Sequence, residues 1–395
     1  MESSRVQSVL ERVPVVDIDS HILEPPDLWT SRLPAKWLDQ APTVIADEAT
    51  GQERWNIGGH FAIGAATYAS AEWREFWPSR PTLFQQATRG AWDPEVRLQW
   101  MDRVGVARQV LYPNILGFHI ANFLLMDEPL RLACVQAYND FQAEFAATNP
   151  DRLIPLCYLP WWDLDASVKE LERCVGMGHK GVNFGSEFEK LGFPRLRDDH
   201  WHPLLTAMED MGVSVNFHIG FGSKTEEEMR SATSLMQDSL DMAKTTALFM
   251  LGNATCIAEL IFGRICHRYP TLKFVSVESG YGFIPYLIEA FDWQFINTGA
   301  QANHPDMMLP SDYFRRQIYA SFWFERQLVP LLDIYADNVM FETDYPHSTS
   351  LSPGNNSHAK SARDTIIENL GTVPEPVLRK ILHDNAAKVY GFASA

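Results

Sequence analysis

Eight short apolar runs, each separated from the next by a stretch of helical periodicity, constrain this chain more than any other feature. The runs lie at 13–19, 109–113, 153–159, 180–184, 213–218, 273–278, 317–321 and 338–343. Several are nearly unbroken in Val, Ile, Leu and Phe, as strands covered on both faces must be. Helical patterns occupy 94–104, 128–148, 165–177, 200–211, 233–250 with 254–268, 284–297 and 325–336, and two more near 358–370 and 374–391 close the chain. Strands alternating with helices give a parallel α/β fold, and eight such units favour a closed (β/α)8 barrel of the TIM type, with 1–395 as one domain. The alternative is a doubly wound open sheet, but no glycine-rich nucleotide loop follows the first run.

The first connection is abnormally long. Residues 26–93 carry Trp29, Trp37, Trp55, Trp73, Trp77 and Trp92, with Gly58-Gly59 between them. A connection of this length leaving the C-terminal end of a barrel strand is expected to form a lid over the mouth, an oligomer interface, or both. Further insertions are expected at 220–232 and from Asn297 to Pro310.

A formal charge of -17 argues against a nucleic-acid partner and leaves a small molecule as the expected ligand. The five cysteines are scattered and form no CxxC pair, which reads as buried free thiols in a reducing, cytoplasmic setting. No signal-like apolar run opens the sequence. The stretch from Thr245 to Ile265 is apolar but interrupted by Gly252, Asn253 and Glu259, so no membrane span is expected.

The chemistry gathers where the apolar runs end. Val15-Val16-Asp17-Ile18-Asp19-Ser20-His21 places a carboxylate and an imidazole on one side of the first strand, since side chains alternate. The fifth strand ends in His218, the sixth in Glu278, and the eighth in Asp344, followed by Tyr345-Pro346-His347. A single such His is commonly structural, and a single such Asp commonly a turn former or helix cap. Together at one end of a barrel, each would cost several kcal/mol if buried unpaired, and one divalent cation offsets that cost for all. Two imidazoles with two carboxylates suit Zn²⁺ foremost, then Mn²⁺ or Fe²⁺, rather than Ca²⁺ or Mg²⁺.

These motifs resemble a known family. Asp17-x-Asp19-x-His21-x-x-Glu24-Pro25, Asp93-Pro94-Glu95-x-Arg97-Leu98, Met101-Asp102-x-x-Gly105-Val106, Phe217-His218, Glu278-Ser279-Gly280 and Thr343-Asp344-Tyr345-Pro346-His347 look like the amidohydrolase superfamily. The branch is that of aminocarboxymuconate-semialdehyde decarboxylase and the non-oxidative dihydroxybenzoate decarboxylases. The resemblance implies a distorted (β/α)8 barrel with one divalent metal held by Asp19, His21, His218 and Asp344. Many decarboxylases of this branch carry His at the end of the sixth strand, where this chain has Glu278.

The resemblance implies a decarboxylase of an aromatic or unsaturated carboxylic acid, with the metal orienting the substrate and Asp344, or Glu278, protonating the carbon that loses CO2. A hydrolase using metal-activated water with Asp344 as base is the alternative, and an inactive binding protein the third reading. His347 is a candidate to bind substrate or orient Asp344, and Glu24 to support the ligands; by alternation Asp17 shares a face with Asp19 and His21 but lies two residues deeper, which gives it a supporting role as well. His119 and Asn183 are expected at the mouth, and Arg89 or Arg74 as partner of a substrate carboxylate. The Trp-rich insertion and the resemblance suggest a homodimer or larger homo-oligomer.

Overall fold

A computed structural model describes residues 2–221, 238–327 and 329–393. Eight parallel strands pair in chain order: β1 (Val16–Ile22), β5 (Arg108–Pro113), β6 (Leu153–Tyr158), β7 (Gly181–Phe184), β8 (Ser214–His218), β9 (Phe274–Val277), β10 (Ile318–Phe322) and β11 (Val339–Phe341). The sheet closes where Asp344 N–H donates to the Asp19 carbonyl at 3.0 Å and His21 N–H to the Tyr345 carbonyl at 2.7 Å. This is a TIM-type barrel. Each expected run holds a strand, and the 94–104 and 284–297 helices fall where the periodicity places them, at Pro94–Val104 and Ile284–Asn297.

The first strand starts and ends three residues later than its apolar run, so Asp19 and His21 lie within it. Its geometry also departs from simple alternation. Between the pairs Asp17–Gln109 and Ser20–Leu111, two residues of β1 (Ile18 and Asp19) face one of β5 (Val110), a bulge. Val16 and Ile18 join Val110, Tyr112, Ile154, Leu156, Val275 and Met340 in the barrel-interior cluster. Asp17 instead binds Gln109, which Arg97 of the Pro94–Val104 helix also reaches, at 3.2 Å. Asp17 therefore faces the strand–helix layer, and the bulge turns Asp19 and His21 into the mouth. The expectation that Asp17 shares their face is corrected by this extra residue.

The Pro94–Val104 helix shows how local sequence sets this up. Asp93 caps it, accepting from Glu95 and Val96 N–H, Pro94 fits its first turn, and Gly105 ends it at φ 84°. Its buried face carries Arg97, Trp100, Met101 and Val104 against the barrel.

The long connection holds an antiparallel sheet of β2 (Thr43–Ala46), β3 (Glu53–Ile57) and β4 (His60–Gly64). Gly58 and Gly59, at φ 60° and 84°, make the two-residue turn between β3 and β4. The insertion expected at 220–232 lies largely outside the described residues. The segment Ser239–Phe262 is long and apolar enough to cross a bilayer. Its second half packs on the barrel through Cys256, Ile257, Leu260 and Ile261. All five cysteines are buried and unpaired.

Candidate metal centre

Five side chains from four strand ends meet at the mouth. Asp19 and His21 come from β1, His218 ends β8, and Glu278 and Asp344 follow β9 and β11. Glu278 and Asp344 adopt φ of 55° and 59°. A left-handed conformation costs a non-glycine residue about 1–2 kcal/mol. Here it turns each carboxylate off its strand into the mouth.

Asp19, His21, His218 and Glu278 offer ligand atoms within 4.8 Å of one another, and His21, Glu278, Asp344 and His347 form an overlapping group. The expected set of Asp19, His21, His218 and Asp344 is thus divided between two groups, and Glu278 belongs to both. His218 Nε2 lies 3.2 Å from Glu278 Oε2 and 3.7 Å from Asp19 Oδ1. His21 Nε2 lies 3.5 Å from Asp19 Oδ1 and 3.8 Å from Asp344 Oδ1.

The two imidazoles carry the strongest argument for a cation. His21 Nδ1 is 3.0 Å from the Pro113 carbonyl and His218 Nδ1 is 2.8 Å from the Ile219 carbonyl. A carbonyl only accepts, so each Nδ1 carries the proton. Each neutral ring therefore presents a bare lone pair at Nε2, and the two Nε2 atoms stand 3.0 Å apart. Two lone pairs at that distance repel, and a metal ion between them removes the conflict. Burial keeps both rings neutral: it holds His21 well below the usual histidine range and His218 down at about 3.

The carboxylates agree. Both oxygens of Asp19 are buried without a hydrogen-bond partner. Burial, then the Asp344 and Asp17 charges, push Asp19 well above the usual carboxylate range, and burial with Asp17 does the same to Asp344. Only a positive charge makes such a cluster ionise cheaply. The donor set fits a divalent transition metal, with Asp19, His21, His218, Glu278 and Asp344 as its holders. The imidazoles are already neutral, so the proton that competes with metal sits on a carboxylate whose pKa is raised. Binding Mn²⁺ or Zn²⁺ to metal-free protein near pH 6 is expected to release about one proton per chain. Calorimetry in buffers of different ionisation enthalpy reads this directly, and zero release contradicts it.

Asp344 also meets His347. His347 Nδ1 is 2.7 Å from Asp344 Oδ1, and Nε2 is 3.0 Å from Asn114 Oδ1. The Asn114 amide nitrogen donates to the Ile22 carbonyl at 3.0 Å, which fixes its oxygen toward His347. His347 Nε2 must therefore donate, leaving Nδ1 and Asp344 to share one proton. Burial holds His347 down at about 3, which puts that proton on Asp344. Glu24 supports the same chain: its Oε1 accepts from Asn114 and Ile115 N–H at 2.9 and 2.8 Å. Asp17 accepts from Thr343 N–H, the Thr343 hydroxyl and Gln109, tying β1 to the segment that carries Asp344.

A cavity of about 390 Å³ opens onto this cluster, lined by Glu278, Asp344 and His347 on one side. Tyr68, Trp77, Phe118 and Phe249 form aromatic wall, and Gln52, Arg54, Thr67 and Arg80 of the insertion complete it. His119 is not part of the lining; it holds the Tyr68 hydroxyl at 3.0 Å. Asn183 turns back to the Leu156 carbonyl at 3.1 Å. Arg89 lies at the surface, paired with Asp93 at 2.8 Å, and Arg74 is exposed beside Glu75 at 3.9 Å. Neither arginine lines the cavity.

Sequence reasoning passed over Tyr68, Arg54, Arg80, Arg97 and Glu342. Glu342 is buried behind the site and accepts from Glu278 N–H at 3.2 Å. Its signal was a carboxylate inside an apolar run. Arg97 lies within the Asp93-Pro94-Glu95-x-Arg97-Leu98 motif, and nothing in that pattern marks its burial.

Comparison with known proteins agrees with the fold. A family model described as "Amidohydrolase" matches residues 17–392. The 2-amino-3-carboxymuconate-6-semialdehyde decarboxylase of Dictyostelium discoideum is 27% identical over 323 residues, covering 78% of this chain and 79% of that protein. The gamma-resorcylate decarboxylase of Polaromonas sp. is 26% identical over 260 residues, covering 63% and 76%. Among solved structures, an amidohydrolase from Mycobacterium avium subsp. paratuberculosis superposes with a TM-score of 0.73 at 21% identity, covering 96% of this chain and all of its own. A dihydroxybenzoic acid decarboxylase from Polaromonas sp., solved with manganese and the inhibitor 2-nitroresorcinol, gives 0.59 at 19% identity, covering 96% and 97%. With nearly the whole barrel matched and its motifs at the mouth, the chain belongs to the amidohydrolase family, in the branch of the aminocarboxymuconate-semialdehyde and gamma-resorcylate decarboxylases.

Proposed function

We propose that the protein is a metal-dependent, non-oxidative decarboxylase of an aromatic or unsaturated carboxylic acid. The observation that carries this reading is the Asp344–His347 pair, 2.7 Å apart and holding one proton where the metal cluster meets an aromatic-walled cavity. Asp19, His21, His218, Glu278 and Asp344 would hold the metal, Mn²⁺ or Zn²⁺, which when bound fixes an acid by its oxygens and draws electron density from it. The relative with bound manganese supports the choice of metal.

The chain's own residues do the rest. Tyr68, Trp77 and Phe118 favour a planar, apolar body and exclude water from the cavity. Asp344 delivers its proton to the carbon bearing the carboxylate, a C–H bond forms, and the C–C bond electrons return to the unsaturated system as CO2 leaves. Asp344 then regains a proton from solvent, taken up at His347 Nδ1 and passed across the 2.7 Å contact, while the ring is held in line by its Nε2–H on Asn114 Oδ1 and by Glu24 behind Asn114. No oxidant or reductant is needed.

The test is a panel of hydroxybenzoates and unsaturated acids scored for CO2 release by metal-loaded protein, run beside amides and lactones scored for hydrolysis. The expected result is CO2 release from planar acids and no hydrolysis. Hydrolysis without CO2 release overturns this reading in favour of a metal-activated water with Asp344 as base.

A further inference from the structure

The insertion contributes two guanidinium groups to the cavity that the metal-site residues share, Arg54 from its sheet and Arg80 from the segment after it. They differ in how they are occupied. Arg54, on β3, lies 3.7 Å from Asp47, and its guanidinium stands 5.2 Å from the Phe61 ring centre. Arg80 has no such acid: among the described residues, no carboxylate stands within ion-pair distance of it. Its guanidinium lies 4.8 Å from the Trp77 ring centre, and one terminal nitrogen donates to the Pro78 carbonyl at 3.2 Å. Its Nε is buried without an acceptor.

This is unusual for its surroundings. The chain carries 50 acidic residues against 33 Lys and Arg, and its other cavity arginine has found an acid. A partly buried cation with an unpaired N–H is costly until an anion meets it. Burial already lowers its pKa from the ordinary arginine value, though an arginine stays charged through such a shift. With Nη1 on the Pro78 carbonyl and Nε out of solvent, Nη2 is the nitrogen left to receive an oxygen of an anion in the cavity.

We propose that the substrate carries a second anionic group, a carboxylate in the simplest case, received by Arg80 on the insertion side of the cavity. The scissile carboxylate lies at the end formed by Glu278, Asp344 and His347, and this assignment rests on the decarboxylase reading. The substrate class is then a planar diacid. A monoacid such as a dihydroxybenzoate leaves Arg80 desolvated and unpaired, and binds less well for that reason.

The experiment measures binding, not turnover. Benzoate, isophthalate and terephthalate are titrated calorimetrically into manganese-loaded protein. At least one diacid is expected to bind about tenfold or more tighter than benzoate. Arg80→Gln removes that advantage and leaves benzoate unchanged, Arg80→Lys keeps part of it, and Arg54→Gln keeps most of it. Melting curves of the variants check that each is folded. Both diacids binding within about threefold of benzoate, no binding by any of the three, or an advantage that survives Arg80→Gln each overturns the proposal. The two readings fail separately. A diacid preference that depends on Arg80, with no CO2 released from any acid, removes the decarboxylase and keeps the anion site. CO2 release from monoacids with no diacid preference does the reverse.

Discussion

Asp344→Asn is expected to lower kcat by about 10³-fold while leaving the barrel intact. The amide keeps the volume of the side chain but has no carboxylic proton to give. The same change should not weaken the metal-free protein. Asp344 is buried with its pKa pushed well up, so a neutral isostere removes a group whose charge the fold resists. Activity and apo-stability therefore move independently: turnover collapses, and the melting temperature of metal-free protein holds or rises. His347→Gln should cost less, about 10–100-fold, since it removes the partner and not the donor. Paired kinetics and melting curves check this. An Asp344→Asn enzyme with turnover within a few-fold of the parent contradicts the assigned role.

Arg97→Met should be the most damaging single change to stability, by about 3–5 kcal/mol. Arg97 is fully buried and reaches three acceptors: the Gly90 carbonyl, the His21 carbonyl and Gln109 Oε1. Methionine fills much of the space but leaves those oxygens without donors, each at about 1–3 kcal/mol. It also removes a cation that interacts with Asp17, whose carboxylate is then left with Thr343, Gln109 and the Asp19 N–H as its partners. Because one of the acceptors is the backbone of His21, metal affinity should fall as well, by about 10–100-fold. Arg97→Lys should restore little, since one ammonium cannot span the three acceptors that the fork reaches. Urea unfolding of metal-free protein reads the stability, and a loss under about 1 kcal/mol contradicts the assignment.

The barrel was legible because each strand is a short apolar run buried on both faces. The metal cluster was legible for the converse reason: Asp19, His21, His218, Glu278 and Asp344 are polar residues at the ends of runs that are otherwise apolar. Alternation alone misplaced Asp17, because a one-residue bulge leaves no mark in the order of side-chain types. The insertion sheet escaped because its strands are four or five residues long and mix charge with apolar side chains. Gly58-Gly59 was its one local signal. Arg80 and Tyr68 escaped with it, since their approach to the cavity depends on how the insertion folds back over the mouth. Arg74 and Arg89 sit in or beside the same stretch and point away, a distinction that only tertiary packing makes.

The most direct test of the account is the metal content of the purified protein. Mass spectrometry of elements should find about one divalent transition metal per chain, falling below about a tenth in His21→Ala and His218→Ala variants that remain folded. Protein that arrives without metal should take up about one Mn²⁺ or Zn²⁺ on incubation and melt at a higher temperature. A folded chain that neither carries nor takes up metal, or one whose metal survives loss of both histidines, contradicts the centre that the strand ends build.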